Sequence, residues 1–191
     1  MAKKQKYERI IESAVEIFAQ KGFHETTMKE IAEAAGVGKG TIYVHFKNKD
    51  DLFSKILDRG IDELAQYVNG EINNINTPGK KLKKAIKAQL KYFNKHEDFC
   101  VFAFREVWAY REDLKNKIEK LHNKHTVILK EIINKGIKSG DFQMVNKENT
   151  AAAIVGMVWG AAVNSFLFSQ SLDVDEIHSN IVKIIFEKHI D

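Results

Sequence analysis

TMKEIAEAAGVGKGTIYVHFKNK, residues 27–49, is the stretch of sequence that decides the fold. It predicts two short helices joined by a tight turn at Gly36, because glycine readily adopts the left-handed conformation that ends a helix. Thr27 and Glu30 have the spacing of a capping box, in which each side chain pairs with the other residue's backbone N–H. Ile42 is the apolar anchor of the second helix.

The second helix, predicted over about residues 39–44, has few apolar residues to bury. The residues expected on its exposed side are Lys39, Gly40, Thr41, Tyr43 and His45. Together they offer donors for phosphate oxygens and base edges, and an apolar surface for a thymine methyl. Residues 36–49 contain three lysines and no acidic residue. The pattern predicts a helix-turn-helix whose second helix enters a major groove, with a solvated helical hairpin as the alternative.

Composition agrees with this interpretation and adds limits. The chain has 191 residues and a formal net charge of +4, with a sequence pI near 9.0. This mildly basic balance permits nucleic-acid binding. The single cysteine, Cys100, excludes an internal disulfide and indicates a reducing cytoplasm. The basic residues 1–6 precede a helical pattern rather than an apolar run, so no signal peptide is predicted.

The rest of the chain predicts an all-α fold of about nine helices. It contains one proline, Pro78, and its apolar residues recur at spacings of three and four. A first helix is expected from Tyr7 to Gly22. Later helices are expected over about residues 49–69, 80–95, 99–109, 112–137, 147–170 and 173–189. The predicted domains are a DNA-binding domain at 1–48 and a ligand-binding and dimerisation domain at 49–191, with 49–75 as a connecting helix.

Residues 151–168 form one uncharged run, AAAIVGMVWGAAVNSFLF. Its length meets the lower limit of a membrane span, and Gly156 and Gly160 form a small-xxx-small pair. Asn164 interrupts the run, no second span accompanies it, and an amphipathic helix follows it. The run is therefore predicted to be a helix buried on all sides in a soluble protein, without membrane association.

The run GVGKGTIYVHFKNKDDLF, residues 36–53, resembles the DNA-binding domain of the TetR/AcrR family of transcriptional regulators, and the resemblance extends without gaps over about residues 7–59. It implies a cytoplasmic, homodimeric, all-helical repressor that binds a double-stranded DNA operator and releases it when a small molecule enters the C-terminal domain. By position, residues 39–45 fall on the family's recognition helix. The resemblance also implies backbone contacts from Thr26 or Thr27 and a phosphate contact from Lys49. Gly38 departs from the Ser, Ala or Pro of many members and is a weaker helix cap.

The resemblance also implies further sites in the C-terminal domain. A cavity for a hydrophobic effector is expected among the helices that carry an aromatic cluster, and the residues expected to line it are Gln89, Phe93, Phe102, Arg105, Trp108, His125 and Asn164. The family's last two long helices form the dimer interface, which assigns Gly156, Trp159, Gly160 and Phe166 to it. FKNKDDLF and the first helix are similar to the branch that regulates fatty-acid metabolism, which implies an acyl-CoA effector. Gly60 is a candidate position for bending of the connecting helix.

Other interpretations are weaker. A basic stripe lies between residues 80 and 95 and consists of Lys80, Lys84, Lys87, Lys91 and Lys95. Such a stripe is typical of a solvated face and alternatively suits the phosphates of a nucleotide-like ligand. His122 and His125 have a spacing that allows two metal ligands, but no clear acidic or cysteine partner accompanies them. No phosphate-binding glycine loop and no nucleophile motif is present. No cofactor is predicted, and a helical enzyme or a sequence-nonspecific DNA-binding protein is the alternative class.

Overall fold

The computed structural model describes residues 2–108, 115–168 and 171–186. Over these residues the chain forms nine α-helices and no strand, which confirms the predicted all-α fold. The helices are α1 (Ala2–Lys21), α2 (Met28–Ala34), α3 (Lys39–His45), α4 (Lys49–Ile72), α5 (Pro78–Lys95), α6 (Glu97–Trp108), α7 (Lys115–Ser139), α8 (Lys147–Leu167) and α9 (Val174–Phe186). The first helix thus begins at Ala2 rather than at Tyr7. Two predicted pocket side chains, those of Trp108 and His125, lie outside the described residues.

Side chains fix the starts of several helices. At α2, the Thr27 hydroxyl accepts from the Glu30 N–H, and the Thr27 N–H donates to the Glu30 carboxylate, which confirms the capping box. Asn48 Oδ1 accepts from the Asp51 N–H at 2.8 Å and caps α4. Pro78 occupies the first turn of α5, where its missing N–H costs no helical hydrogen bond. Local sequence therefore determines these boundaries.

One compact unit contains the described residues of Met1–Ile61 and Asp98–Lys117. Its core is a cluster of four phenylalanine rings: Phe18, Phe23, Phe53 and Phe102. The Phe102 ring stacks on Phe18 at 5.1 Å and meets Phe53 edge-on at 4.9 Å. This packing places α6 in the same unit as α1–α3, although the predicted functional domains assigned it to the C-terminal region.

Two further contacts join α6 to this unit. The Phe23 N–H donates to the buried Glu106 carboxylate at 3.3 Å. The Phe99 ring occupies the space beside Gly60, so that a Cβ at Gly60 would overlap it. The prediction that Gly60 permits bending of α4 is therefore replaced by a packing role, because its missing side chain lets an aromatic ring approach the helix closely.

The second compact unit contains the described residues of Asp62–Glu97 and Ile118–Asp191. Tyr67 packs on Tyr92 and Glu71 pairs with Lys84, so the second half of α4 runs antiparallel to α5. The fully buried aliphatic residues of this unit lie on α5, α7 and α8 and include Ile86, Leu90, Leu129, Ala151 and Val158. The result is a bundle of helices around one apolar core.

Helix α8 is less enclosed than the sequence predicts. Among the described residues it is the one helix long and apolar enough to cross a membrane by length and composition, and only 33% of its apolar window is buried. Gly156 and Gly160 are exposed, and a Cβ at either position would meet no atom within 4 Å. One face of α8 is therefore open in the single chain, and burial of this helix on all sides stays a prediction for the dimer.

Candidate nucleic-acid interface

Helix α3 is short and anchored by one side chain. Ile42 is its only buried residue, and Gly36, with φ +59°, makes the turn that leads into it. Lys39 and Gly40 are exposed, Thr41 is half-buried, and the Tyr43 side chain is 46% exposed. The outer face of α3 therefore presents a cation, a hydroxyl and a phenol beside a stretch of backbone with no side chain. Groups of this kind contact phosphates and base edges.

Contacts from α1 and α4 hold α3 in place. Arg9 Nη2 of α1 donates to the Gly36 carbonyl at 2.7 Å. The Tyr7 ring stacks on Phe46, directly after α3, with centroids 5.2 Å apart. Lys55 of α4 donates to the His45 carbonyl at 3.1 Å. These ties fix both ends of α3, so its exposed side chains have a rigid support.

His45 points less fully outward than predicted. Its residue is half-buried, and its ring meets Tyr7 edge-on with centroids 5.7 Å apart. The imidazole therefore covers the junction between α1 and α3. The sequence of α3 predicted an outward side chain at position 45. It does not show that Tyr7 of α1 packs against His45.

Thr26 and Thr27, predicted as alternatives for a backbone contact, have different environments. Thr26 is buried, and its hydroxyl donates to the Gly22 carbonyl at 2.7 Å, so its side chain is removed from the contact surface. Thr27 is exposed at the start of α2. Its partner Glu30 also accepts from Lys21 at 2.7 Å. The Lys21 hydrogen bond, followed by those from Thr27, lowers the pKa of Glu30 to about 2.

Lys49 requires a correction. Its ammonium donates to the carbonyls of Phe23, His24 and Thr26 at 2.6–3.0 Å. It also lies 4.5 Å from the centre of the Phe23 ring. Since an ammonium has three protons, this geometry engages Lys49 with the loop between α1 and α2 rather than with a phosphate. The sequence shows a basic residue at a helix start but does not show which carbonyls face it.

Two exposed residues, Val44 and Lys47, were not among the predicted contact residues. Val44 is 70% exposed, the highest value for an apolar residue of α3. Val44 follows Ile42 by two positions, which is about 200° around the helix. Because Ile42 points inward, the sequence already places Val44 on the opposite, outward face. Lys47, directly after the helix, is also exposed. Both extend the candidate surface formed by Lys39, Thr41 and Tyr43.

The described pocket residues are divided between the two compact units. Phe102 belongs to the phenylalanine core of the first unit, and the exposed Arg105 lies beside Gly22 in the same unit. Gln89 and Phe93 are buried in the second unit. Asn164 is exposed and continues the stripe of Gly156 and Gly160 at intervals of four residues, so it lies on the open face of α8. The assignment of these residues to an effector pocket stays a prediction.

The remaining predicted interface residues of α8 are half-buried. Trp159 packs edge-on against Phe93 at 6.1 Å within its own chain, and Phe166 is partly exposed. At the end of the helix, Leu167 and Phe168 are about two-thirds exposed. The open face therefore ends in large apolar side chains.

Two lysines of the basic stripe on α5, and Lys83 beside it, have contacts within the second unit. Lys84 pairs with Glu71 and Lys87 pairs with Asp175, each at 2.6 Å. Lys83 lies over the Phe186 ring at 4.7 Å. These hydrogen bonds, with Lys84 and Lys87 as the first causes, lower the pKa of Glu71 and Asp175. The stripe thus behaves as the solvated, ion-paired face that its spacing suggests.

Two segments of the chain, and the chain as a whole, are similar to known bacterial regulators. Residues 10–56 match the model of bacterial regulatory proteins of the tetR family. Residues 76–163 match the tetracyclin repressor-like C-terminal domain. A fatty acid metabolism regulator protein of Bacillus subtilis is 29% identical over 141 residues, covering 74% of this chain and 73% of that protein. The transcriptional regulator YhgD of the same organism is 32% identical over 147 residues, with 74% of each chain covered.

Solved structures share the fold. The transcriptional regulator FadR from Bacillus subtilis, in complex with stearoyl-CoA, has a TM-score of 0.88 at 24% identity, covering 96% of this chain and all of that one. AibR in complex with isovaleryl coenzyme A and operator DNA has a TM-score of 0.80 at 22% identity, with the same coverage. The family models match in sequence order, and YhgD is similar over most of both chains. The chain therefore belongs to the TetR family of bacterial regulatory proteins, and it is a helix-turn-helix transcriptional regulator rather than an enzyme.

Proposed function

We propose that the chain is a homodimeric, cytoplasmic repressor that binds a palindromic operator and releases it when a hydrophobic effector, a long-chain acyl-CoA, binds the second unit. The observation that carries the DNA-binding part is the outer face of α3, where Lys39, Tyr43 and Val44 are exposed above the single buried anchor Ile42. Repression is the common mode of regulation implied by the family.

In this proposal, α3 lies in a major groove. Tyr43 and Val44 contact base edges and methyl groups, Lys39 and Lys47 contact phosphates, and Gly40 allows the backbone to approach. Thr27 places the start of α2 against the phosphate backbone. A twofold dimer presents two such helices to half-sites about 34–36 Å apart or a little more, which requires a palindromic site.

The open face of α8 supports the dimer. Gly156 and Gly160 carry no side chain and have open space around them, so a second copy of the helix can approach closely, with the exposed Asn164 one turn further along the same face. Leu167 and Phe168 supply exposed apolar area beside them. On α9, Ile184 is 59% exposed, so both final helices leave apolar surface for a partner. A permanent interface buries such surface.

The effector class rests on the relatives. A relative that is 29% identical is a fatty acid metabolism regulator, and two structures with this fold hold acyl-coenzyme A molecules. Within the first unit, Phe102 and Glu106 of α6 contact the phenylalanine core and the loop before α2, so a displacement of α6 would alter the support of the helix-turn-helix. The effector can change operator affinity only if it binds the DNA-binding and the non-binding conformations with different affinities. This coupling free energy is about 1–3 kcal/mol in typical cases.

Selection of binding sites from a random duplex library tests the function. A palindromic motif with two half-sites is expected. Fluorescence anisotropy with the selected site should then show release by stearoyl-CoA, and Tyr43→Ala should remove operator binding while the dimer persists in sedimentation. Enrichment of no motif would identify a sequence-nonspecific DNA-binding protein. If a site is selected but no acyl-CoA releases the protein from it, the proposal of a sequence-specific regulator stands and the proposal of an acyl-CoA effector fails.

A further inference from the structure

Helix α3 has few interactions of its own to hold its last turn in place. It comprises 7 residues, fewer than the roughly 12 that an isolated helix needs to be stable in water. It follows Gly38, which has no side chain to cap it, and Ile42 is its only buried residue. The last turn contains Tyr43 and Val44, the side chains proposed to contact bases. Their positions therefore depend on contacts from outside α3.

An ion pair on α4 meets the end of α3. Lys55 donates to the Asp51 carboxylate at 3.0 Å and to the carbonyl of His45, the last residue of α3, at 3.1 Å. Its ammonium also lies 5.1 Å from the centre of the Phe46 ring. A cation in this place satisfies a carbonyl that the helix itself leaves without a donor, and it opposes the negative end of the helix dipole.

The same carboxylate holds the chain just beyond α3. Asp51 Oδ2 accepts from the Lys47 N–H at 2.9 Å, in addition to the bond from Lys55. The hydrogen bond from the Lys47 N–H is the largest cause that lowers the pKa of Asp51, and the Lys55 ammonium lowers it further. One oxygen atom thus joins the Lys55 ammonium to the backbone that carries the exposed Lys47 side chain.

We propose that Lys55 and Asp51 are positioning residues, which set the operator preference of the last turn of α3 without contacting bases themselves. This inference rests on the proposed function, in which that turn contacts base edges. Contacts to base edges require a narrow range of distance and angle, whereas phosphate contacts carry no sequence information. Loss of the ion pair therefore relaxes the sequence preference and leaves most of the general affinity for DNA.

The test removes the charge of either partner. Lys55→Met keeps an unbranched chain of similar length, and Lys55→Arg restores a charged donor. Asp51→Asn keeps an acceptor for the Lys47 N–H without its charge. The matched control is Lys84→Met, because Lys84 forms an ion pair of similar exposure with Glu71 in the second unit.

Each full-length variant is used to select binding sites from a random duplex library. Fluorescence anisotropy at several salt concentrations then gives its affinity for the wild-type site and for random DNA. Val44→Ala, selected in the same way, identifies the base pairs contacted by the last turn of α3. Thermal melts confirm that every variant is folded at the temperature of the titrations.

We expect Lys55→Met to bind the wild-type site about tenfold more weakly, as for one impaired base contact, and random DNA within about threefold of the wild type. Its selected motif should lose preference at the base pairs that Val44→Ala also affects and keep the others. Asp51→Asn should lose preference at the same base pairs, Lys55→Arg should restore it, and Lys84→Met should match the wild type. A residue that only stabilised the fold would leave the motif of the folded protein unchanged.

Three results would overturn the inference. The first is an unchanged motif in Lys55→Met, and the second is a loss of preference at base pairs that Val44→Ala does not affect. The third is a salt dependence reduced by about one phosphate contact for operator and random DNA alike, which would make Lys55 a direct phosphate contact. Should Lys55→Met fail to fold, Asp51→Asn is judged by the same three criteria.

The proposed function fails in a different way. If the wild type enriches no motif, sequence-specific binding is refuted, and the inference is refuted with it. A wild-type motif that both ion-pair variants reproduce removes the inference alone.

Discussion

The Phe99 ring of α6 fills the space that a side chain at Gly60 would occupy in α4. This close approach requires glycine, because even a methyl group at residue 60 would overlap the aromatic carbons. Together with Phe102 on Phe18, it makes α6 a structural part of the unit that carries the helix-turn-helix. The position of α6 and the position of the helix-turn-helix are therefore physically linked.

Gly60→Ala tests this contact. We expect it to lower the free energy of unfolding by about 1–3 kcal/mol, since the added methyl group must displace a packed ring. Gly70→Ala in the same helix is the control, because a Cβ there meets no atom within 4 Å and alanine favours helix by about 0.5–1 kcal/mol. Urea unfolding of both variants measures the difference, and equal effects would contradict the packing role of Gly60.

Alanine substitutions of Lys47 and Lys49 should distinguish a lysine that contacts phosphate from a lysine that stabilises the fold by hydrogen bonds. Lys47→Ala should leave stability unchanged and reduce the salt dependence of operator binding by about one phosphate contact. Lys49→Ala should destabilise the protein by about 1–3 kcal/mol, because three carbonyls lose their donor. Thermal melts and anisotropy titrations at several salt concentrations provide both measurements. A stable Lys49→Ala protein with the reduced salt slope would restore the phosphate contact to Lys49.

Val44→Ala should weaken binding to the selected operator by roughly tenfold, as expected for two methyl groups removed from an apolar contact. Binding to random DNA should change little, because phosphate contacts dominate there. Val127→Ala, at an exposed valine of α7, is the control and should affect neither. Anisotropy competition between operator and random duplex measures the ratio. An unchanged ratio in Val44→Ala would remove this residue from the reading surface.

Gly156→Leu should dissociate the dimer, since a large side chain prevents two α8 helices from approaching. Gly70→Leu adds the same side chain at another glycine of the second unit with open space around it, and it should remain dimeric. Sedimentation velocity reports both states. A wild-type sedimentation coefficient for Gly156→Leu would place the interface elsewhere.

Glu30 should make stability depend on acid pH. Its pKa in the folded protein is about 2, below the ordinary value of 4.5. A lowered carboxylate pKa stabilises the fold fully above the ordinary value, and the contribution is lost as the pH falls from about 4.5 towards 2. Glu30→Gln should therefore be less stable than the wild type at pH 6 and approach it near pH 2.5 in urea unfolding. Glu33→Gln removes an exposed carboxylate that lies 3.7 Å from the Lys29 ammonium and serves as the control for the change in net charge.

Much of the helix-turn-helix was predictable from residues that are close together in the sequence. Thr27 and Glu30 form a capping box because their spacing alone brings the two side chains to each other's N–H. Gly36 adopts a positive φ at the predicted turn, and Ile42 is the buried anchor. The polar face of α3 was predictable for the same reason, although Val44 was overlooked as an apolar residue.

The members of an effector site could not be fixed from the sequence, because they depend on packing between distant helices. Phe102 looks the same in sequence whether it lines a cavity or fills a core, and only the positions of Phe18 and Phe53 decide. Asn164 likewise depends on which face of α8 is covered. Spacing along one helix cannot supply that information.

The sequence by itself determined that this chain is helical, where helices with a clear cap such as α2 and α4 begin, and that a short basic helix follows a glycine turn, since these depend on contacts within a few residues. Tertiary structure alone decided that Lys49 engages backbone carbonyls and that Gly60 accommodates Phe99. Each of these depends on atoms far apart along the chain, whose distances are set only when the helices pack.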